Sequence, residues 1–303
     1  MENNYWIIDK WLIFKPEFND ELNEYCDVIN KYEKIMFSNY SEPLMAIETN
    51  NLHDEKYGKN FIHNNFNQEI DLSNNIHLTH LTIGCYFNQE IDLSNNINLT
   101  HLTFGFYFYQ KIDLSNNINL THLTFNRVFN QEINLSNNIN LTHLTIGNYF
   151  NKEIDLSNNI NLSHLTFGWH FNQKIDLSNN INLTHISFGR RFNKEINIPL
   201  NVKSLTMCYC NNQYIIDYLH NNIEKLKIYS NDLNLDNLPN SIKKINIINY
   251  KKELNNLPNS IEYLELKNYE LKIKKIPKNL KTIKCDKNYK YIDNFKDYEV
   301  IYH

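Results

Sequence analysis

Cysteine is scarce and unpatterned in this chain. The five residues, Cys26, Cys85, Cys208, Cys210 and Cys285, are odd in number and include no Cys-x-x-Cys pair. That argues against a disulfide framework and against a thiolate metal site. Cys208 and Cys210 flank Tyr209, and on extended chain such a pair points to opposite sides, a poor chelate. No run of 18 apolar residues occurs, so no membrane-spanning helix is expected. The opening stretch MENNYWIIDKWLIF has no basic start, no apolar h-region and no small-residue cleavage site. With the cysteine pattern, this makes the reducing cytoplasm the expected compartment.

A concentrated basic stripe is also missing. Net charge is −4, and residues 200–303 hold 17 Lys against 12 Asp and Glu, a balance of +5 that leaves −9 for residues 1–199. The lysines of the tail are interleaved with acids and read as a solvated face, so no nucleic-acid partner is expected. No grouping of unlike catalytic side chains stands out, and neither an enzyme activity nor a cofactor is expected.

What the chain does have is repetition. Six units of 21 residues run from Phe66 to Arg191, each opening on Phe (66, 87, 108, 129, 150 and 171). Phe87–Tyr107, FNQEIDLSNNINLTHLTFGFY, is typical. A fixed period of this length is the mark of a solenoid whose units cannot bury their apolar faces alone and must stack. Counting from Phe as position 1, positions 1, 5, 7, 11, 13, 16 and 18 are apolar in nearly every unit, and all seven are expected to point inward. Spacings of two, as in Ile91-Asp92-Leu93 and Leu102-Thr103-Phe104, indicate extended chain, and no helical period fits within a unit. The stretch Leu99-Thr-His-Leu-Thr-Phe matches the L-x-x-L-x-L strand of a leucine-rich repeat.

Beyond Phe192 the pattern loosens without stopping. The position-16 residue recurs at Leu205, Leu226, Ile245, Leu264 and Ile283, now mostly 19 residues apart, and Pro239 and Pro258 argue against convex helices. The expected fold is therefore mostly β: a leucine-rich-repeat-like right-handed solenoid of about eleven short coils. Residues 1–60 do not repeat. Leu22, Tyr25, Cys26, Ile29, Tyr32 and Met36 recur at spacings of three and four, which predicts an amphipathic helix over 20–37 with Asn19 as its cap. This segment is expected to be a helical cap on the solenoid at 61–288, with 289–303 capping the far end. The alternative is an adaptor helix that docks to another protein.

Adjacent asparagines at positions 9 and 10, Asn95-Asn96 over Asn116-Asn117, are expected to form amide ladders down the stack. Asn98, Asn119, Asn140, Asn161 and Asn182 each head an Asn-Leu-Thr or Asn-Leu-Ser triplet. In a cytosolic chain these are turn residues rather than glycosylation sites.

The openings Phe-Asn-Gln-Glu-Ile and Phe-Asn-Lys-Glu-Ile, followed by Leu-Thr-His-Leu-Thr-Phe-Gly, resemble the FNIP repeat of social amoebae and giant amoeba-infecting viruses. The resemblance covers roughly residues 61–285. Two features depart from it: the family's Pro at position 4 is Glu or Lys here, and the unit has 21 residues where about 22 is usual. The resemblance implies a leucine-rich-repeat-like solenoid that binds protein, with no catalytic residues. Some relatives carry an F-box before the repeats, which would make the chain a substrate receptor of a ubiquitin ligase. The Leu-Pro opening of an F-box is absent here.

If positions 16 and 18 point inward, positions 15 and 17 line the inner, concave surface. Position 15 is His in all six regular units, including His101, His122, His143 and His164. Such a column is a hydrogen-bonded ladder, a recognition surface that charges below about pH 6.5, or a metal site, and ladder neighbours rarely converge on one ion. Positions 20 and 21 vary while their flanks barely change: Cys85-Tyr86, Phe106-Tyr107, Arg127-Val128, Asn148-Tyr149, Trp169-His170 and Arg190-Arg191. Aromatic and Arg side chains dominate interface energetics. The expected partner-binding edge is thus Phe106, Tyr107, Arg127, Tyr149, Trp169, His170, Arg190 and Arg191, with the His column beside it. The partner is a protein, either a host protein or a second copy in a homodimer.

Overall fold

The computed structural model describes residues 4–49, 61–230 and 232–303. The fold is a mostly β, leucine-rich-repeat-like right-handed solenoid of about a dozen coils with a short N-terminal helical element. It divides into two compact units, Met1–Leu162 and Ser163–His303.

In the first unit, β1 (Tyr5–Ile8) and β2 (Trp11–Phe14) form an antiparallel hairpin, with Asp9 in the left-handed region at its turn. From β2 the ladder is parallel, through β3 (Lys34–Phe37), β4 (His80–Thr82), β5 (His101–Phe104), β6 (His122–Phe125) and β7 (His143–Ile146). Register follows the repeat: His101 pairs His122 and Leu102 pairs Leu123. A one-residue slip would turn every Leu to solvent, so the buried face holds the register. The strands of the second unit pair in parallel: β8 (His164–Phe167), β9 (His185–Phe188), β10 (Ser204–Cys208), β11 (Lys225–Tyr229), β12 (Lys244–Ile248), β13 (Tyr263–Lys267), β14 (Thr282–Cys285) and β15 (Glu299–Tyr302).

Each regular coil is closed by local chemistry. Asp92 Oδ1 accepts the Ser94 amide at 2.8 Å, an Asx turn that bends the chain after Leu93. The Asn96 amide then reaches back to the Leu93 carbonyl at 3.0 Å. Phe at position 1 and the apolar residues at 7, 13, 16 and 18 are buried. The Phe rings run as a column through the first unit, with Phe87, Phe108 and Phe129 parallel at 6.1 and 6.2 Å. In the second unit this place passes to Tyr250, Tyr269 and Tyr289, all nearly inaccessible, and the Tyr250 and Tyr289 hydroxyls donate to the Leu233 and Leu271 carbonyls. Where the coil turns away from the strand, backbones approach closely. A Cβ on Gly105 would lie 1.9 Å from the Gly84 carbonyl oxygen.

Three expectations are corrected. The helix predicted over 20–37 is only a 3₁₀ turn, Leu22–Tyr25, continued by α1 (Cys26–Ile29), and Lys34–Phe37 is strand β3. Asn19 caps nothing; its side chain accepts the Asn67 amide. The asparagine ladders are not amide on amide. At position 10 the Asn is fully buried and its Nδ2 donates to two backbone carbonyls of the preceding coil, Asn117 to Leu93 at 2.9 Å and to Asn96 at 3.0 Å. Position 11 does not point inward: Ile76, Ile97, Ile118, Ile139 and Ile160 are 49–51% exposed, because each sits in the turn before the strand rather than on the strand. Part of the N-terminal segment, residues 50–60, lies outside the described residues.

Candidate interaction surfaces

Alternation on β5–β7 places Leu and Phe (or Ile) in the core and leaves His and Thr half-buried on the open strand face. The imidazoles stack face to face, His80–His101 at 4.1 Å, His101–His122 and His122–His143 at 4.2 Å, with rings within 10° of parallel. In the second unit His164 and His185 stack in the same way at 4.2 Å. Each ring is held by the residue before it. Thr100 Oγ1 lies 2.9 Å from His101 Nδ1, and its own hydrogen goes to the Thr79 carbonyl at 3.0 Å. With that hydrogen committed, the hydroxyl accepts from Nδ1–H, which assigns the tautomer and leaves Nε2 as the open nitrogen.

Burial, and then neighbouring positive charge, disfavours the imidazolium. The pKa of His80 is pushed down to about 4, first by burial and then by His101. His101, His164 and His185 are also lowered, burial being the main cause in each. These four rings are therefore held toward the neutral form. Among the described residues no group of three or more His, Cys, Asp or Glu is placed to hold a metal ion.

The variable positions 20 and 21 lie in the turn that follows each strand. Their backbone is regular, with the amides of Tyr107, Val128 and Tyr149 donating to the carbonyls of Cys85, Phe106 and Arg127 at 2.9–3.1 Å. Only the side chains differ. In the first unit Tyr86 and Tyr107 stack at 4.9 Å, both about 40% exposed. Phe106 packs on Phe61 at 5.7 Å and on His63 at 6.1 Å, while Arg127 and Tyr149 are exposed. In the second unit Trp169, Arg190 and Arg191 are exposed and His170 is half-buried, its pKa lowered by burial and then by Arg191.

Sequence reasoning missed Phe61, His63 and Tyr209. The Tyr209 ring stands 6.3 Å from Trp169 and 5.5 Å from Tyr229. It is 42% exposed, and its φ of 55° is a left-handed conformation that a bulky residue adopts at a cost. At the equivalent ends of β12 and β13 the left-handed residue is Asn249 and Asn268, a type that tolerates it better. Counting from Leu205, the position-16 residue of its coil, would have found Tyr209 at position 20.

The outer side of the second unit carries a cavity of about 700 Å³. The coil after Phe192 reads EINIPLNVKS where its predecessor reads KIDLSNNINLTH, two residues fewer before the strand. The shorter coil cuts the corner and uncovers Leu177, Ser178 and Ile181 of the coil before, with Pro199, Leu200 and Tyr214 completing the wall. Tyr214 belongs to α2 (Gln213–Asp217), the one α-helix of the second unit among the described residues.

No family model and no curated protein matches the chain. Solved structures do. The crystal structure of CroV588, described as a novel circular LRR protein, superposes with a TM-score of 0.69 at 29% identity over 95% of this chain. The chain spans only 42% of that protein's length. The internalin InlF of Listeria monocytogenes matches with a TM-score of 0.50 at 19% identity, over 76% of this chain and 82% of its own. The functional domain of InlJ from the same organism, which includes a cysteine ladder, matches with 0.51 at 18%, over 91% and 62%. The internalins share the fold alone, a leucine-rich-repeat-type solenoid. Here the five cysteines are free, and among the described residues no helix is long and apolar enough to cross a membrane.

Proposed function

We propose that this chain is a non-enzymatic scaffold of the FNIP-repeat kind that binds a protein partner through its concave strand face and the aromatic and Arg edge beside it. One observation carries this reading. Over coils whose backbone hydrogen bonds repeat to within about 0.2 Å, positions 20 and 21 change more from coil to coil than any other and present exposed Tyr, Trp and Arg. Rigid aromatics held on a regular backbone lose little entropy on binding. The strained Tyr209 beside Trp169 adds to the argument, because strain gathers at functional positions. The His and Thr columns supply hydrogen-bonding groups next to those anchors.

Integration of β1–β3 into the ladder supports a capping role for residues 1–60 over the adaptor role required of a ubiquitin-ligase receptor. Burial of Cys85 and Cys210, whose pKa values are pushed up to about 12 and about 11, suits thiols that stay reduced in a cytoplasm. The test is affinity capture from host-cell lysate followed by direct titration of the recovered partner. Trp169→Ala with Arg190→Ala is expected to weaken binding at least tenfold. Unchanged affinity for the double variant, with its circular dichroism intact, removes the edge from the binding site.

A further inference from the structure

The isoleucines of position 11 form a second surface that the proposed binding function does not use. In the first unit Ile76, Ile97, Ile118, Ile139 and Ile160 occupy the same place in successive coils, each about half exposed. They are flanked by exposed asparagines: Asn74, Asn95, Asn116, Asn137 and Asn158 on one side, and Asn98, Asn119, Asn140 and Asn161 on the other. These asparagines are tied down, Asn98 Nδ2 donating to the Ile76 carbonyl at 2.8 Å and Asn119 to Ile97 at 3.0 Å. From position 8 to position 12 no coil of this unit carries a charged residue; His77 is the single titratable one. In a chain that is 21% charged, an uncharged strip five coils long with an apolar ridge is a surface built for contact.

We propose that this strip is a homodimer interface, covered by the same strip of a second copy. Three features select that occupant. A row of identical side chains at the spacing of parallel strands, about 4.8 Å, is complementary to itself under a two-fold axis, so Ile118 meets Ile118 and Ile97 meets Ile139. The strip itself holds no charge, so its apposed residues bring no like charges together; the exposed carboxylates of Asp71, Asp92, Asp113 and Asp155, at position 6, lie outside it. The area is also sufficient. Half of five isoleucines exposes on the order of 450 Å² per protomer, and the flanking asparagines carry the strip past the roughly 800 Å² that each side of a standard interface buries. The asparagines, already fixed to backbone, lose little freedom on contact and form a polar rim.

Sedimentation velocity on the full chain is expected to give twice the 36.4 kDa chain mass at tens of micromolar, and Ile97→Asn, Ile118→Asn and Ile139→Asn together are expected to return the monomer. A second measurement covers the case in which the triple variant fails to fold. In a Cys26→Ser background, which removes the exposed native thiol, Ile118→Cys should be joined to its copy by a short bis-maleimide, and Ile7→Cys, on the exposed face of β1, should not. A monomeric wild-type chain overturns the proposal, as does a dimer that survives the folded triple variant or cross-links equally at both positions.

Discussion

Replacing Asn117 with alanine separates the buried asparagine column from the exposed one beside it. The Asn117 side chain is fully buried and donates two hydrogen bonds to the preceding coil, while the Asn117 backbone carbonyl accepts from Asn138 Nδ2 of the next at 2.9 Å. Its own amide oxygen accepts nothing, so the side chain acts purely as a donor. Alanine removes two bonds worth about 1 kcal/mol each net. It also opens a gap the size of a carboxamide, roughly 1 kcal/mol more. The carbonyls left behind are not stranded, because Leu93 still accepts the Asn96 amide and Asn96 still accepts the Leu99 amide. The expected loss is therefore about 3 kcal/mol rather than the larger cost of orphaned buried groups.

Asn116→Ala is the internal control. That side chain is exposed and its single bond, to the Ser94 carbonyl, is 3.3 Å long, so its loss is expected at about 0.5 kcal/mol or less. Asn117→Asp should exceed alanine. It replaces two donors by a buried carboxylate facing two carbonyls, a cost of several kcal/mol that protonation only partly relieves. Guanidinium denaturation followed by far-ultraviolet circular dichroism measures all three, and hydrogen exchange at the Leu120 and Asn138 amides reports whether the loss is local to the coil. If Asn117→Ala and Asn116→Ala agree within about 0.5 kcal/mol, the buried column does not hold the coils together and the account of coil closure given above is wrong.

Acid should loosen the strand face before it touches the core. The folded-state pKa values of His80, His101, His164 and His185 lie below the ordinary imidazole value, so the unfolded chain binds more protons as pH falls. Their contribution is complete above about pH 6.5 and is lost progressively down to about 4, the value for His80. Denaturation midpoints measured from pH 7 to 4.5 should fall, and His80→Gln with His101→Gln should flatten that fall relative to wild type, which also corrects for titrating carboxylates such as Glu33. Phe108→Ala removes a ring that stacks on Phe104 at 4.0 Å and lies between Phe87 and Phe129. It is expected to cost about 3–5 kcal/mol by the same denaturation assay.

How much of this is legible in the sequence depends on whether a residue's role follows from period alone. The strand, the Leu and Phe core and the outward His and Thr all follow from alternation at positions 15 to 18. Position 11 does not, because apolar composition alone does not imply burial. Ile97 sits in a turn, where no alternation applies. The N-terminal segment misled for another reason: Leu22, Cys26 and Ile29 do share a helical face, but Lys34–Phe37 is a short apolar run that helix and strand fit equally, and pairing with β2 and β4 decides for strand. The buried asparagines were recognised as a column, yet their true partners are carbonyls that every residue carries and no sequence pattern marks.

Repetition itself divides the labour between the two surfaces. A column of identical rungs offers any ligand several equivalent placements one coil apart, so it discriminates poorly among foreign partners. Against a copy of itself the same degeneracy does no harm, because every rung meets its equal and the number of rungs fixes the best alignment. The Ile and Asn strip has that character. The edge at positions 20 and 21 has the opposite one, since Phe106-Tyr107, Arg127-Val128 and Trp169-His170 make each coil distinguishable from its neighbours. A foreign protein reading that edge has one register that satisfies its contacts. Exchanging Phe106-Tyr107 with Arg127-Val128 keeps composition and alters order alone, so it should abolish partner binding while leaving the dimer intact.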